Sequence, residues 1–158
     1  MKLSSKEDVD APIAAVYAHL SDFDGWERAA LRRGAEVRRS DALTEAGRGM
    51  AWTVGFSYRG KPRRVALTLT ALDPPSGLGF SGTGANLDGV LAIDLIEMAP
   101  RRTRISVKLE IRPRTLVARL FVQSLKLARA RVDGRFRMRV AQVAAEIEDR
   151  FARGGGPA

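Results

Sequence analysis

The chain has no cysteine and one histidine, His19. Neither a disulfide framework nor a thiolate or imidazole-rich zinc site can be built from that set. A metal would have to rest on carboxylates alone, and the sequence implies neither a metal nor a cofactor. Long hydrophobic runs are also missing: nothing approaches the roughly 18 uninterrupted apolar residues that cross a bilayer. The opening MKLSSKEDVD is too polar for the core of a signal peptide. A soluble, cytoplasmic protein is the expectation.

What is present suits one domain. Hydrophobic residues make up 45% of 158 positions, enough for one substantial core and too few for two comfortable ones. The expected domain spans 1–152, followed by a disordered Gly-rich tail at 153–158. The formal net charge is +9, and most of it lies in one segment. Between Arg112 and Arg139 there are nine cations against Asp133 alone. The basic character therefore belongs to one element and not to a whole surface.

Residues 3–9 read as a first strand. Pro12 then signals a helix start, and Ile13, Val16, Tyr17 and Leu20 follow the spacing of one buried helical face. In SDFDGWER, residues 21–28, Asp24 with Glu27 three places on forms an acidic variant of the capping box. The stretch reads as a corner between two helices. From Met50 to Tyr58 the even positions are large and the odd ones small, the period-two pattern of a strand. Similar alternation recurs around Val65–Leu69 and Ile105–Ile111. Turn chemistry at 59–61, 73–77, 84–86 and 100–102 joins these strands into an antiparallel meander. A long helix follows from Pro113 to about 152, with apolar residues every three or four positions. Unbroken it would be about 60 Å long, and Gly134 is the expected bend. Leu116, Leu120 and Leu127 form a second apolar line on its first half, a surface suited to a homodimer contact or another cover.

This order, and the stretch VDAPIAAVYAHLSDFDGWER at 9–28 in particular, resembles the SRPBCC superfamily of START and Bet v 1-like proteins. RRTRISVKLEI at 101–111 adds similarity to the strand before the last helix. Glu27 and Ala29 stand where many relatives have a proline and an aromatic. The resemblance implies an α+β helix-grip fold: two short helices after the first strand, and a curved antiparallel sheet of about seven strands around a long C-terminal helix. It also implies a cavity between sheet and helix that holds an apolar small molecule such as a lipid, quinone or polyketide. On this chain the lining falls to Trp26, Trp52, Phe56, Tyr58, Phe80, Phe121, Leu125, Val132 and Phe136. The same side chains would equally serve a solid core.

Other motifs carry less. GLGFSG at 77–82 matches G-x-G-x-x-G, but it follows a Pro-Pro turn and precedes strand-like sequence, so its glycines fit a bulge or sheet bend better than a nucleotide loop. His19 is expected at the surface or rim. Asp94, in the apolar run GVLAIDLIEM, pairs with Tyr58 as a candidate for acid–base work in a cyclase- or dehydratase-like enzyme; its alternative is a solvent-facing position. The cations Arg112, Arg119, Lys126, Arg129 and Arg137 are either the solvated side of the last helix or a docking surface. An anionic membrane, RNA or an acidic protein would meet such a surface, although no nucleic-acid recognition motif accompanies it.

Overall fold

The computed structural model describes residues 1–154. Strand β1 (Lys2–Val9) leads into helices α1 (Ile13–Leu20) and α2 (Phe23–Arg32). Six strands follow: β2 (Glu36–Arg39), β3 (Ala51–Tyr58), β4 (Lys61–Asp73), β5 (Gly77–Thr83), β6 (Leu87–Ala99) and β7 (Arg102–Pro113). Two helices end the described chain, α3 (Leu116–Leu127) and α4 (Arg129–Ala152). The sheet order is β1-β7-β6-β5-β4-β3-β2, antiparallel throughout. From β2 to β7 consecutive strands are neighbours, and β1 adds at the β7 edge. The expected tail lies mostly outside the described residues.

Local chemistry places the turns. Arg59 and Gly60 both have positive φ, 52° and 73°, as a two-residue hairpin demands when it matches strand twist. In GLGFSG, which is β5 and not a nucleotide loop, Gly79 sits beside the β4 bulge between Leu69 and Ala71. A side chain there would start 3.0 Å from Thr70 Oγ1, too close for any other residue without movement.

Two helix expectations are corrected. The α2 cap is Asp22, whose Oδ1 accepts the Gly25 amide at 3.2 Å, and not the Asp24–Glu27 pair. Asp24 instead lies in the first turn, where the helix dipole favours a carboxylate. The C-terminal rod is not continuous. Pro113 and Arg112 belong to β7, Thr115 Oγ1 caps α3 by accepting the Ala118 amide at 3.1 Å, and the break falls at Ala128 instead of Gly134.

The core gathers at one end of the sheet's inner face. Val9, Leu69, Leu78, Leu95, Ile105 and Val107 meet Val16 and Leu20 of α1 and Val140, Ala144 and Ile147 of α4. Thr103, fully buried, donates to the Ala11 carbonyl at 2.8 Å, so this polar group is satisfied where water is excluded.

Gly134 lies inside α4, with nothing within 4 Å of a side chain built there. Gly134→Ala is therefore expected to stabilise the protein by about 0.5–1 kcal/mol in urea denaturation; a hinge at this position would give a loss instead. Leu69→Ala, at a fully buried site, should cost about 2–5 kcal/mol in the same measurement.

Candidate functional site

Burial along the inner face of the sheet falls from one end to the other. At the closed end Thr103, Ile105, Leu95 and Leu78 are buried. The next rows hold Leu91, Leu109, Phe80, Ile111 and Leu67, and each of these inward side chains remains partly reachable by water. Beyond them Val54 and Val65 pair across β3 and β4, still half-buried. The gradient ends at Phe56 and Tyr58, exposed to 39% and 42%. Among these inward apolar side chains Val54, Leu67, Phe80 and Leu91 pack against the core but are less completely buried than those at the closed end.

Two glycines face each other on this part of the wall. Gly82 of β5 and Gly89 of β6 are directly paired on the inner face, between Leu67 and Ile111. Neither contributes a side chain, but the space over Gly82 is taken by Leu67, whose Cδ2 would stand 3.1 Å from a Cβ there. A Cβ at Gly89 would meet only the Glu110 carbonyl oxygen, 3.7 Å away.

Trp52 is fixed from several sides. Its indole N–H donates to Glu27 Oε1 at 2.6 Å, which ties α2 to β3. The Arg39 guanidinium sits 5.6 Å from its ring centroid, within cation–π range. Arg39 is itself held by Asp41, whose carboxylate also accepts the Ala51 and Leu43 amides. Arg39 first, and then those amides, keep the Asp41 carboxyl far below the usual carboxylate range. Phe23 and Phe80 complete an aromatic cluster, with centroids 5.5 Å and 6.5 Å from that of Trp52.

The other sequence-expected lining residues have different surroundings. Trp26 packs edge-on against His19 and donates its N–H to the Leu20 carbonyl at 3.1 Å; it forms the α1–α2 corner. Phe121, Leu125, Val132 and Phe136 are half-buried on α3 and α4. Arg59 lies over both Tyr58 and Phe121, 5.4 Å and 5.6 Å from the ring centroids, and so joins the β3–β4 hairpin tip to α3. Val54, Leu67, Leu91, Gly82 and Gly89 were not among the expected site residues.

The proposed acid–base pair is not brought together. Asp94 is exposed on the outer face of β6, between inward Ile93 and Leu95. It pairs with Gly77, itself opposite Asp73 at the last residue of β4, whereas Tyr58 pairs with Lys61 at the first. The two residues therefore occupy opposite faces and opposite ends of the sheet. Among the described residues no three His, Asp or Glu side chains converge as a metal site.

His19 is corrected from rim to interior: it is 8% exposed. Burial, and then the nearby Arg150 charge, push its pKa down, against smaller opposing effects of Glu146 and Asp22. Of the expected basic docking residues, Arg112 lies on β7 and pairs with Glu110 at 3.0 Å. Arg129 is bound to Asp133 at 3.1 Å and to the Lys2 carbonyl at 2.6 Å, and Arg137 reaches the Asp133 carbonyl at 3.4 Å. Arg119 and Lys126, both on α3, have no ion-pair partner among the described residues.

The model of the polyketide cyclase / dehydrase and lipid transport family matches residues 1–148, and the chain belongs to that family. Among curated proteins, none matches the chain by sequence. Solved structures agree on the fold. The Zhui aromatase/cyclase from Streptomyces sp. R1128 aligns at TM-score 0.69 with 17% identity, covering 98% of both chains. A protein from Thermus thermophilus aligns at 0.66 with 15% identity, over 98% of this chain and 99% of that one. A START superfamily protein from Mycobacterium smegmatis aligns at 0.57 with 12% identity, over 85% and 95%. The architecture is the helix-grip fold, as the order of elements implied. No helix among the described residues is long and apolar enough to cross a membrane.

The depressed His19 pKa sets a pH dependence. The unfolded chain takes up a proton near pH 6.5 while the folded chain resists it, so this stability is complete above that pH and declines as pH falls through it toward the lower folded value. Thermal midpoints should drop between about pH 7.5 and 5.5, and His19→Leu should flatten that slope.

Proposed function

We propose that the protein binds and carries an apolar small molecule, of lipid, quinone or polyketide-like character, in the hollow between the inner sheet face and helices α3 and α4. The observation that carries this reading is the wet apolar wall around the paired Gly82 and Gly89. Burying that wall against an apolar guest releases about 25 cal/mol for each Å² removed from water. A guest therefore completes a surface that the chain leaves unfinished. Family membership is in keeping with this, since lipid transport is part of the family's description. The separation of Asp94 and Tyr58 withdraws the particular pair on which an acid–base mechanism would have rested.

Native mass spectrometry of protein purified from its own host is expected to reveal a copurifying apolar adduct. In solution, Gly89→Phe should fill the middle of the wall and weaken binding of Nile red by about tenfold or more. Ala66→Phe, on the exposed outer face of β4, should leave it unchanged. Equal binding by wild type and Gly89→Phe would remove the hollow as the binding site.

A further inference from the structure

We propose that α3 docks the protein on an anionic lipid leaflet, with its outer leucines in the interface and its cations at the headgroups. Leu116, Val117, Leu120 and Leu127 are 71%, 71%, 63% and 91% exposed. Such values are unusual for four large apolar residues on one helix of a folded domain. At about 100° per residue Leu116, Leu120 and Leu127 fall within about 40° of arc, so they form one ridge. Arg119 and Lys126 lie along one flank of that ridge, and Val117 and Ser124 along the other. On the opposite side Ala118 and Val122 are buried against the protein. From Thr115 to Ala128 there is no acidic residue.

The identity of the occupant follows from this arrangement. A convex apolar ridge beside unpaired cations suits a surface that is oily beneath and anionic on top. Leucines enter the acyl boundary while long cationic side chains remain at the headgroups. A second copy of the chain would bring Arg119 and Lys126 against their own counterparts, which opposes a dimer through this face. RNA would gain phosphate contacts but leave the leucines in water, since the ridge offers bases neither aromatic stacking nor hydrogen bonds. Docking stands on α3 alone; only its use, collecting or delivering an apolar guest, rests on the reading above. Phe121 and Leu125, half-buried beside the hollow, belong to the same helix, so the membrane face and the guest face would share one element.

Vesicle flotation tests this. Wild-type protein should float with phosphatidylcholine vesicles containing about one third phosphatidylglycerol and not with phosphatidylcholine alone, because each cation near an anionic surface contributes separately. Added salt should release it. Arg119→Gln and Lys126→Gln should each weaken binding roughly fivefold. Combining Leu116→Ser, Leu120→Ser and Leu127→Ser should weaken it at least about tenfold, with an unchanged circular dichroism spectrum. Ile96→Ser with Met98→Ser, an exposed apolar pair on the outer face of β6, serves as the control and should bind as wild type does. Equal affinity for neutral vesicles, full binding by the triple variant, or binding to poly(U) RNA without vesicle binding would each overturn the proposal. Nile red binding separates the two readings. The triple variant should retain it, and a wild type that floats but takes up no Nile red would end the guest reading while docking stands.

Discussion

An α-helix is about 10 Å across with its side chains, whereas seven strands at about 4.8 Å spacing span roughly 30 Å. One helix cannot cover the inner face of such a sheet. The chain meets this mismatch by covering the face unevenly. Helix α4 lies along β1, α1 reaches β6 and β7, and α2 docks at the β2 side. Trp52, held by Glu27 and Arg39, anchors that side. Between these contacts Leu67, Phe80 and Leu91 are only partly buried, with Phe80 packed on Phe23 and Trp52.

Stability and the proposed binding of a guest consequently fall on different parts of one surface. At the closed end, fully buried side chains such as Leu69, Val9, Val16 and Ile147 each contribute about 1.5–3 kcal/mol relative to exposure. These residues hold the sheet to α1 and α4, and Leu67, Phe80 and Leu91 pack against them. Toward the open end Gly82 lies opposite Gly89. Glycine normally weakens a strand interior. Here Gly82 admits Leu67, whose Cδ2 would stand 3.1 Å from a Cβ, while a Cβ at Gly89 would meet only the Glu110 carbonyl oxygen.

Some of this was legible in the sequence. Alternation from Met50 to Tyr58 placed the inward face of β3, and the turn residues placed four hairpins. Other features were hidden for physical reasons. In GVLAIDLIEM both faces are apolar, with Leu91, Ile93 and Leu95 inward and Val90, Ile96 and Met98 outward. Period-two reading therefore could not tell which way Asp94 pointed. Two aspartates flank Phe23, and only the fold decides that Asp22 caps α2; its close approach to the Gly25 backbone leaves a Cβ just 2.3 Å from Asp22 Oδ2. The helix break at Ala128 carries neither glycine nor proline, so no local signal marked it. Burial of His19 depends on Trp26 folding back across the corner, a tertiary contact that helical spacing does not encode.

The break at Ala128 also explains how a strongly basic, greasy segment can belong to a compact domain. A continuous rod from 113 to 152 would run about 60 Å and carry its first half beyond the sheet. Interrupted, α4 keeps a length of about 36 Å, and α3 is a separate helix with its own N-cap at Thr115. Arg59 reaches Phe121 from the β3–β4 tip, so α3, which begins just after β7, passes that hairpin tip. One side of α3, with Ala118 and Val122, is buried against the protein and the other faces outward. Apolar residues on the first side follow from the fold; those on the second, Leu116, Leu120 and Leu127, do not. Their exposure costs solubility without adding to the core, and the cations beside them specify the sign of the surface that would relieve that cost.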